Sequence, residues 1–147
     1  MFKHILVPTD GSQLSSDTVR RAVSFARDAG AKVMFFFAKP GYPVAFYGEG
    51  ALIDPTTPEK FAEMAEQQSK EILGKAAALA AEAGVPSSSR SSTSDIPYVA
   101  IIEAAQDAGC DLIFMASHGR RGISGLLLGS ETQKVLTHST IPVLVYR

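Results

Sequence analysis

Tryptophan is absent from this 147-residue chain, cysteine occurs once, and 14 Lys+Arg nearly cancel 15 Asp+Glu. The lone Cys110 excludes an intramolecular disulfide framework, and no cysteine pair stands at zinc-ligand spacing. A formal charge of -1 gives no electrostatic reason to expect nucleic acid or an anionic membrane as the main partner. No apolar run approaches the roughly 20 residues needed to span a bilayer. The N-terminal stretch has no long apolar segment followed by a small-residue cleavage site. What is present is globular in type: 46% hydrophobic and 20% charged residues exclude wholesale disorder. The length suits a single domain, 1–147, and is too short for two well-cored ones. The expectation is a soluble protein of a reducing compartment.

Strand and helix signals alternate. Residues 2–7 form a short apolar run ended by Pro8, which reads as a buried strand. After the turn Thr9-Asp10-Gly11-Ser12, either Ser12 or Ser15 can cap a helix that Gly30 stops. Residues 32–38 include Val33-Met34-Phe35-Phe36-Phe37, apolar on both faces, as a central parallel strand requires. Residues 39–57 read as a surface excursion long enough to be functional. Thr57 caps the next helix and Pro58 takes its first position; the helix runs to about Ala83. Residues 87–94 are serine-rich and resemble linker, yet the topology asks for a strand there, and a polar strand belongs at an edge. Asp95 is the expected cap of a helix burying Val99, Ile102 and Ala105. A buried strand at 111–116, a glycine-bearing loop at 117–128, a short helix at 129–138 and a strand at 142–146 complete the order.

The resulting β-α-β-α-β-α-β-α-β succession, with right-handed crossovers, predicts a doubly wound α/β fold. Its five-stranded parallel sheet is expected in the order 3-2-1-4-5, with helices on both faces. Ligands in such folds bind beyond the carboxyl ends of the strands where the order reverses. Here that is between strands 1 and 4, so Pro8-Thr9-Asp10-Gly11 should meet Ala116-Ser117-His118-Gly119. Gly119 and Gly129 are separated by nine residues, and Gly129-Ser130-Glu131-Thr132 opens a helix. Glycines admit close backbone approach, and free N–H groups at a helix start stabilise negative charge, so a phosphate chain fits between them. Neither G-x-x-x-x-G-K-[ST] nor G-x-G-x-x-G is present. From spacing alone the glycines serve equally as turn residues.

The opening HILVPTDGS, the closing IPVLVYR and above all MASHGRRGISGLLLGSETQKVL resemble the universal stress protein family, along essentially the whole chain. The family's nucleotide-binding members carry G-x-x-G, nine residues, then G-[ST]. In this chain the pattern falls on Ala116-Ser117-His118-Gly119, nine residues, then Gly129-Ser130. The resemblance implies an ATP-binding domain, usually a cytoplasmic homodimer, acting in stress responses. By position it implies that Pro8, Thr9 and Asp10 border adenine and ribose, that Ala38 closes the adenine pocket, and that Met115 and Ala116 lie beneath ribose and phosphates. Gly119, Gly129, Ser130, Glu131 and Thr132 would hold the triphosphate through backbone N–H groups and the Ser130 and Thr132 hydroxyls, with Mg2+ neutralising phosphate oxygens. Alanine replaces the first family glycine at 116, which costs on the order of 1 kcal/mol if that position needs positive φ. Glu131 sets a carboxylate beside the phosphates, which repels them unless it is directed away.

The other chemistry-bearing residues have plainer readings. Asp10 is ligand-proximal or a turn residue, His118 orients its loop, Arg120 and Arg121 are solvated or phosphate-facing, and Cys110 packs. Pro142, Val143, Leu144, Val145 and Tyr146 are apolar at a sheet edge, which predicts a homodimer through that segment. Tyr42, Phe46 or Tyr47 of the excursion could pack over the ligand as a partial lid. No activated nucleophile or paired acid and base is evident, so the expectation is a nucleotide-binding regulator and not a turnover enzyme. The alternatives are a dimeric interaction domain that binds no nucleotide, a weak ATPase, or an adenylyl-transferring relative, for which His118 stands alone. A phosphate-accepting receiver domain lacks the aspartate its third strand would need.

Overall fold

The computed structural model describes residues 1–43, 57–118 and 128–147. Nine elements alternate among them: β1 (His4–Pro8), α1 (Gln13–Ala29), β2 (Lys32–Lys39), α2 (Pro58–Glu82), β3 (Ser87–Thr93), α3 (Pro97–Asp107), β4 (Leu112–Ala116), α4 (Ser130–His138) and β5 (Val143–Tyr146). All strand pairs are parallel, in the order β3-β2-β1-β4-β5. This is the doubly wound order that the alternation of signals predicts.

The apolar strands are continuous runs because each has two faces to bury. Ile5, Val7, Val33, Phe35, Phe37, Leu112 and Phe114 pack in one core with Val19, Ala22, Val23 and Ala26 of α1 and Leu73, Ala76 and Ala80 of α2. The intervening Leu6, Phe36, Ile113 and Met115 pack in a second core with Ala100, Ile101, Ala104 and Ala105 of α3 and Val135 of α4. Alternate side chains of one strand therefore serve opposite layers.

Three helices end in the same way. Gly30, Gly84 and Gly109 adopt φ of 68°, 70° and 69°, a region in which a β-carbon is strained. The next residue bonds back to the helix each time: Ala31 N–H to Ala26 O, Val85 to Ala80 O and Cys110 to Ala105 O. These are Schellman turns, and all six residues they join are buried. Beside them the Asp111 carboxylate accepts the Lys3 and His4 N–H groups at 2.9 and 3.0 Å, fastening the start of β1 to the start of β4.

Helix starts follow the sequence at two places and depart at a third. Ser12 caps α1 by accepting the Ser15 N–H, and Thr57 caps α2 by accepting that of Lys60, with Pro58 next. Asp95, in contrast, does not cap α3. Ile96 occupies the cap position with no side-chain hydrogen bond, and the Asp95 carboxylate accepts the Gly41 N–H at 3.1 Å across the sheet edge. Ser94 makes the local turn instead, its Oγ accepting the Ile96 N–H at 3.1 Å.

β3 is the polar edge strand that topology demanded. Its seven residues, SSSRSST, are half-buried or exposed, and they pair with β2 throughout. Arg90 projects from it to Asp107 at 3.1 Å. Among the described residues no helix is long and apolar enough to cross a membrane.

Candidate functional site

Strand order reverses between β1 and β4, whose carboxyl ends are neighbours. At the end of β1 the chain turns through Thr9, Asp10 and Gly11, the last at φ 80°. Thr9 is buried, its N–H donates to Phe36 O of β2 at 2.9 Å, and its hydroxyl lies 2.6 Å from Ser15 Oγ. Ser15 Oγ also accepts the Asp10 N–H at 3.0 Å, and Asp10 Oδ1 accepts the Ser12 N–H at 2.9 Å. The turn is thus built from the side chains of the helix it opens. Ser15 was legible only as a possible cap; its buried role inside this turn leaves no periodic signal.

β4 ends in the half-buried Ala116, which pairs with Tyr146. Among the described residues none other than glycine has positive φ, so Ala116 is extended and its methyl carries no backbone strain. Ser117 follows, buried, its N–H donating to Tyr146 O at 2.8 Å and its carbonyl accepting the Gly129 N–H at 2.6 Å. Ser117 Oγ lies 3.0 Å from His118 Nδ1, which gives His118 a structural partner within its own turn.

α4 begins at Gly129, whose φ of -69° and ψ of 157° any residue can adopt. Its glycine therefore answers no demand of the backbone. Among the described residues no side chain caps this helix start, which lies at the carboxyl end of the sheet. Two side chains expected to face phosphate are engaged elsewhere. The Thr132 hydroxyl is buried and donates to Ala116 O at 2.9 Å, fixing α4 to β4. The Glu131 carboxylate turns aside, its Oε2 accepting the Tyr98 N–H of α3 at 2.9 Å and its Oε1 lying 3.5 Å from Lys134 Nζ. Ser130 is exposed on the first turn.

Pro8, Thr9, Asp10, Ala38, Met115, Ala116, Gly129, Ser130, Glu131 and Thr132 all belong to the carboxyl ends of strands or the turns and helix start that follow them. Met115 is buried in the second core, and Ala38, at the end of β2, packs against it. Gly119, Arg120, Arg121, Phe46 and Tyr47 lie outside the described residues. Tyr42 packs edge-on against Phe61 of α2 with ring centroids 5.6 Å apart. Gly41 and Asp95 were not foreseen here; a β-carbon on Gly41 would meet the Asp95 carboxylate at 3.0 Å.

The model of the universal stress protein family matches residues 1–147. A universal stress protein of Methanocaldococcus jannaschii is 30% identical over 148 residues, taking in 100% of this chain and 83% of the relative. One from Thermus aquaticus is 33% identical over 147 residues, covering 100% of both. A universal stress protein solved in complex with cAMP superposes with a TM-score of 0.71 at 27% identity, over 99% of this chain and 97% of that one.

Proposed function

Because the chain belongs to the universal stress protein family, we propose that it binds ATP across the carboxyl ends of β1 and β4 and acts as a cytoplasmic stress-response regulator. One observation carries the reading: an uncapped helix start, that of α4, stands at the point where the strand order reverses. The cAMP-bound relative supports the adenine-nucleotide class. The residues fit the ligand. Ala116 is extended, so the family's missing glycine removes no backbone conformation, and the Glu131 charge is directed to Tyr98. Pro8, Thr9, Asp10 and Ala38 would border adenine and ribose, with Met115 and Ala116 beneath. Gly119, Gly129, Ser130 and the main chain of Glu131 and Thr132 would hold phosphate. Among the described residues no group of three His, Cys, Asp or Glu is placed to hold a metal. Mg2+ would neutralise phosphate oxygens of the bound ATP.

A regulator is favoured over a turnover enzyme because several polar groups of this edge are engaged in holding it together: Thr9 with Ser15, Thr132 with Ala116 and Glu131 with Tyr98. The homodimer belongs to the same proposal. β5 is an edge strand whose four apolar residues are only half-buried, so a second copy pairing along Pro142, Val143, Leu144, Val145 and Tyr146 would complete their burial. A monodisperse monomer by light scattering at about 50 μM would overturn it.

Gently purified protein, denatured, should release adenine nucleotide, and stripped protein should bind ATP with a melting-temperature rise that Mg2+ increases. Absence of both defeats the reading, and product formed at many turnovers per minute favours the ATPase alternative. Gly129→Val should abolish binding, because φ and ψ at 129 suit valine and its side chain would stand in the approach of the phosphate; circular dichroism checks that the fold is kept. Unchanged affinity would put the phosphates elsewhere.

A further inference from the structure

Resting on the nucleotide-binding reading, we infer that the Glu131 side chain has a positioning role: its carboxylate holds the first turn of α4 against α3 and does not itself touch the ligand. α3 opens with a shortage of acceptors. Pro97 has no N–H, Ile96 offers no capping side chain, and the Val99 and Ala100 N–H groups both turn back to Ile96 O at 3.1 and 3.3 Å. The Tyr98 N–H finds its acceptor 33 residues away in Glu131 Oε2, at 2.9 Å. The surroundings hold the carboxylate in place. Lys134 Nζ lies 3.5 Å from Glu131 Oε1 and 5.6 Å from the Tyr98 ring centroid, and the His138 ring lies 5.1 Å from that same centroid.

Among the described residues, three hydrogen bonds tie the start of α4 to other elements. Two run to the end of β4, Gly129 N–H to Ser117 O and Thr132 Oγ1 to Ala116 O. The third, through Glu131, reaches a different element and fixes the first turn of α4 to α3, beyond the packing of Val135 one turn later. The negative charge meanwhile complements the positive end of α3 and the Lys134 ammonium, so an acidic residue stands beside an anion site without opposing the anion. The aim of the α4 N–H groups is then set by α3, an element that contributes no ligand contact of its own.

The test compares ATP with adenosine, which lacks phosphate, on the intact chain by titration calorimetry, together with hydrogen exchange at the Tyr98 amide. Glu131→Ala should weaken ATP by about tenfold, the scale of one charge-assisted hydrogen bond, leave adenosine unchanged and speed Tyr98 exchange. Glu131→Gln keeps an acceptor oxygen and should restore ATP affinity to within about threefold of the parent. An equal loss for both ligands would mean general destabilisation and overturn the inference. Tighter ATP binding by Glu131→Gln, a substitution that preserves the fold, would show that the charge faces phosphate and overturn it too. Binding of neither ligand by the parent chain would defeat the nucleotide reading instead, and unchanged Tyr98 exchange in Glu131→Ala would then separately refute the tie.

Discussion

Individual residues show where this fold is vulnerable to acid. Burial, and then the Lys32 charge, lower the His4 pKa below its ordinary value. Burial raises that of Asp111, but the N–H groups of His4 and Lys3 outweigh it and the net shift is downward. For both groups the unfolded chain binds protons more readily than the native one, so stability rises with pH. The His4 contribution should begin to fade as pH falls below about 6.5 and that of Asp111 below about 3.9. Asp111→Asn, which puts an amide donor against backbone donors, should cost about 1–2 kcal/mol at neutral pH and flatten the lower part of the acid limb. Urea titrations of both proteins across pH 3–8 measure this. Thr132→Val keeps the shape of its buried site but deprives Ala116 O of a donor, at a cost of about 1–2 kcal/mol by the same measurement. Cys110 is the quiet residue: burial, then the neighbouring Asp111 charge, push its thiol up to about 11. It should resist alkylation at neutral pH until the chain unfolds, and rapid labelling of native protein would contradict its burial.

At the scale of elements, the sequence was most readable where one face of physics dominated. Central strands are apolar runs because two cores claim them, and the starts of α1 and α2 carry their caps within three residues. β3 has no such signal; SSSRSST pairs because β2 offers an edge and α2 leads the chain to it. Boundaries moved slightly, with residues 2–7 becoming His4–Pro8 and 142–146 becoming Val143–Tyr146. The cap of α3 was misread because Asp95 sits where a cap would sit, while its real acceptor comes from α4. The same blindness applied to Thr132 and Ser117, whose partners are set by tertiary placement and not by spacing. The correction is measurable. Asp95→Ala should speed hydrogen exchange at Gly41 and leave Tyr98 protected, whereas a capping Asp95 would do the reverse.

The whole molecule divides its work between the two ends of its sheet. One end is closed by three Schellman turns and the Asp111 staple; the other carries the long connections, 39–57 and 117–128, and every candidate ligand residue. A further property follows from those closed turns. Each passes from helix to strand within a few residues, and β2 and β4, which follow two of them, assign alternate positions to different cores. Counting therefore matters more there than chemistry: the turns act as a reading frame. One residue inserted between Gly30 and Ala31 would exchange the two sides of β2, sending Phe35 and Phe37 toward α3 and Phe36 toward α1, and should abolish cooperative unfolding. Two inserted residues would restore the parity and should recover a cooperative, if lower, melting transition. At the opposite end the chain passes from strand into helix, whose burial follows a 3.6-residue period and sets no odd–even parity. That is the end at which this architecture can acquire new specificity by insertion without renegotiating its core.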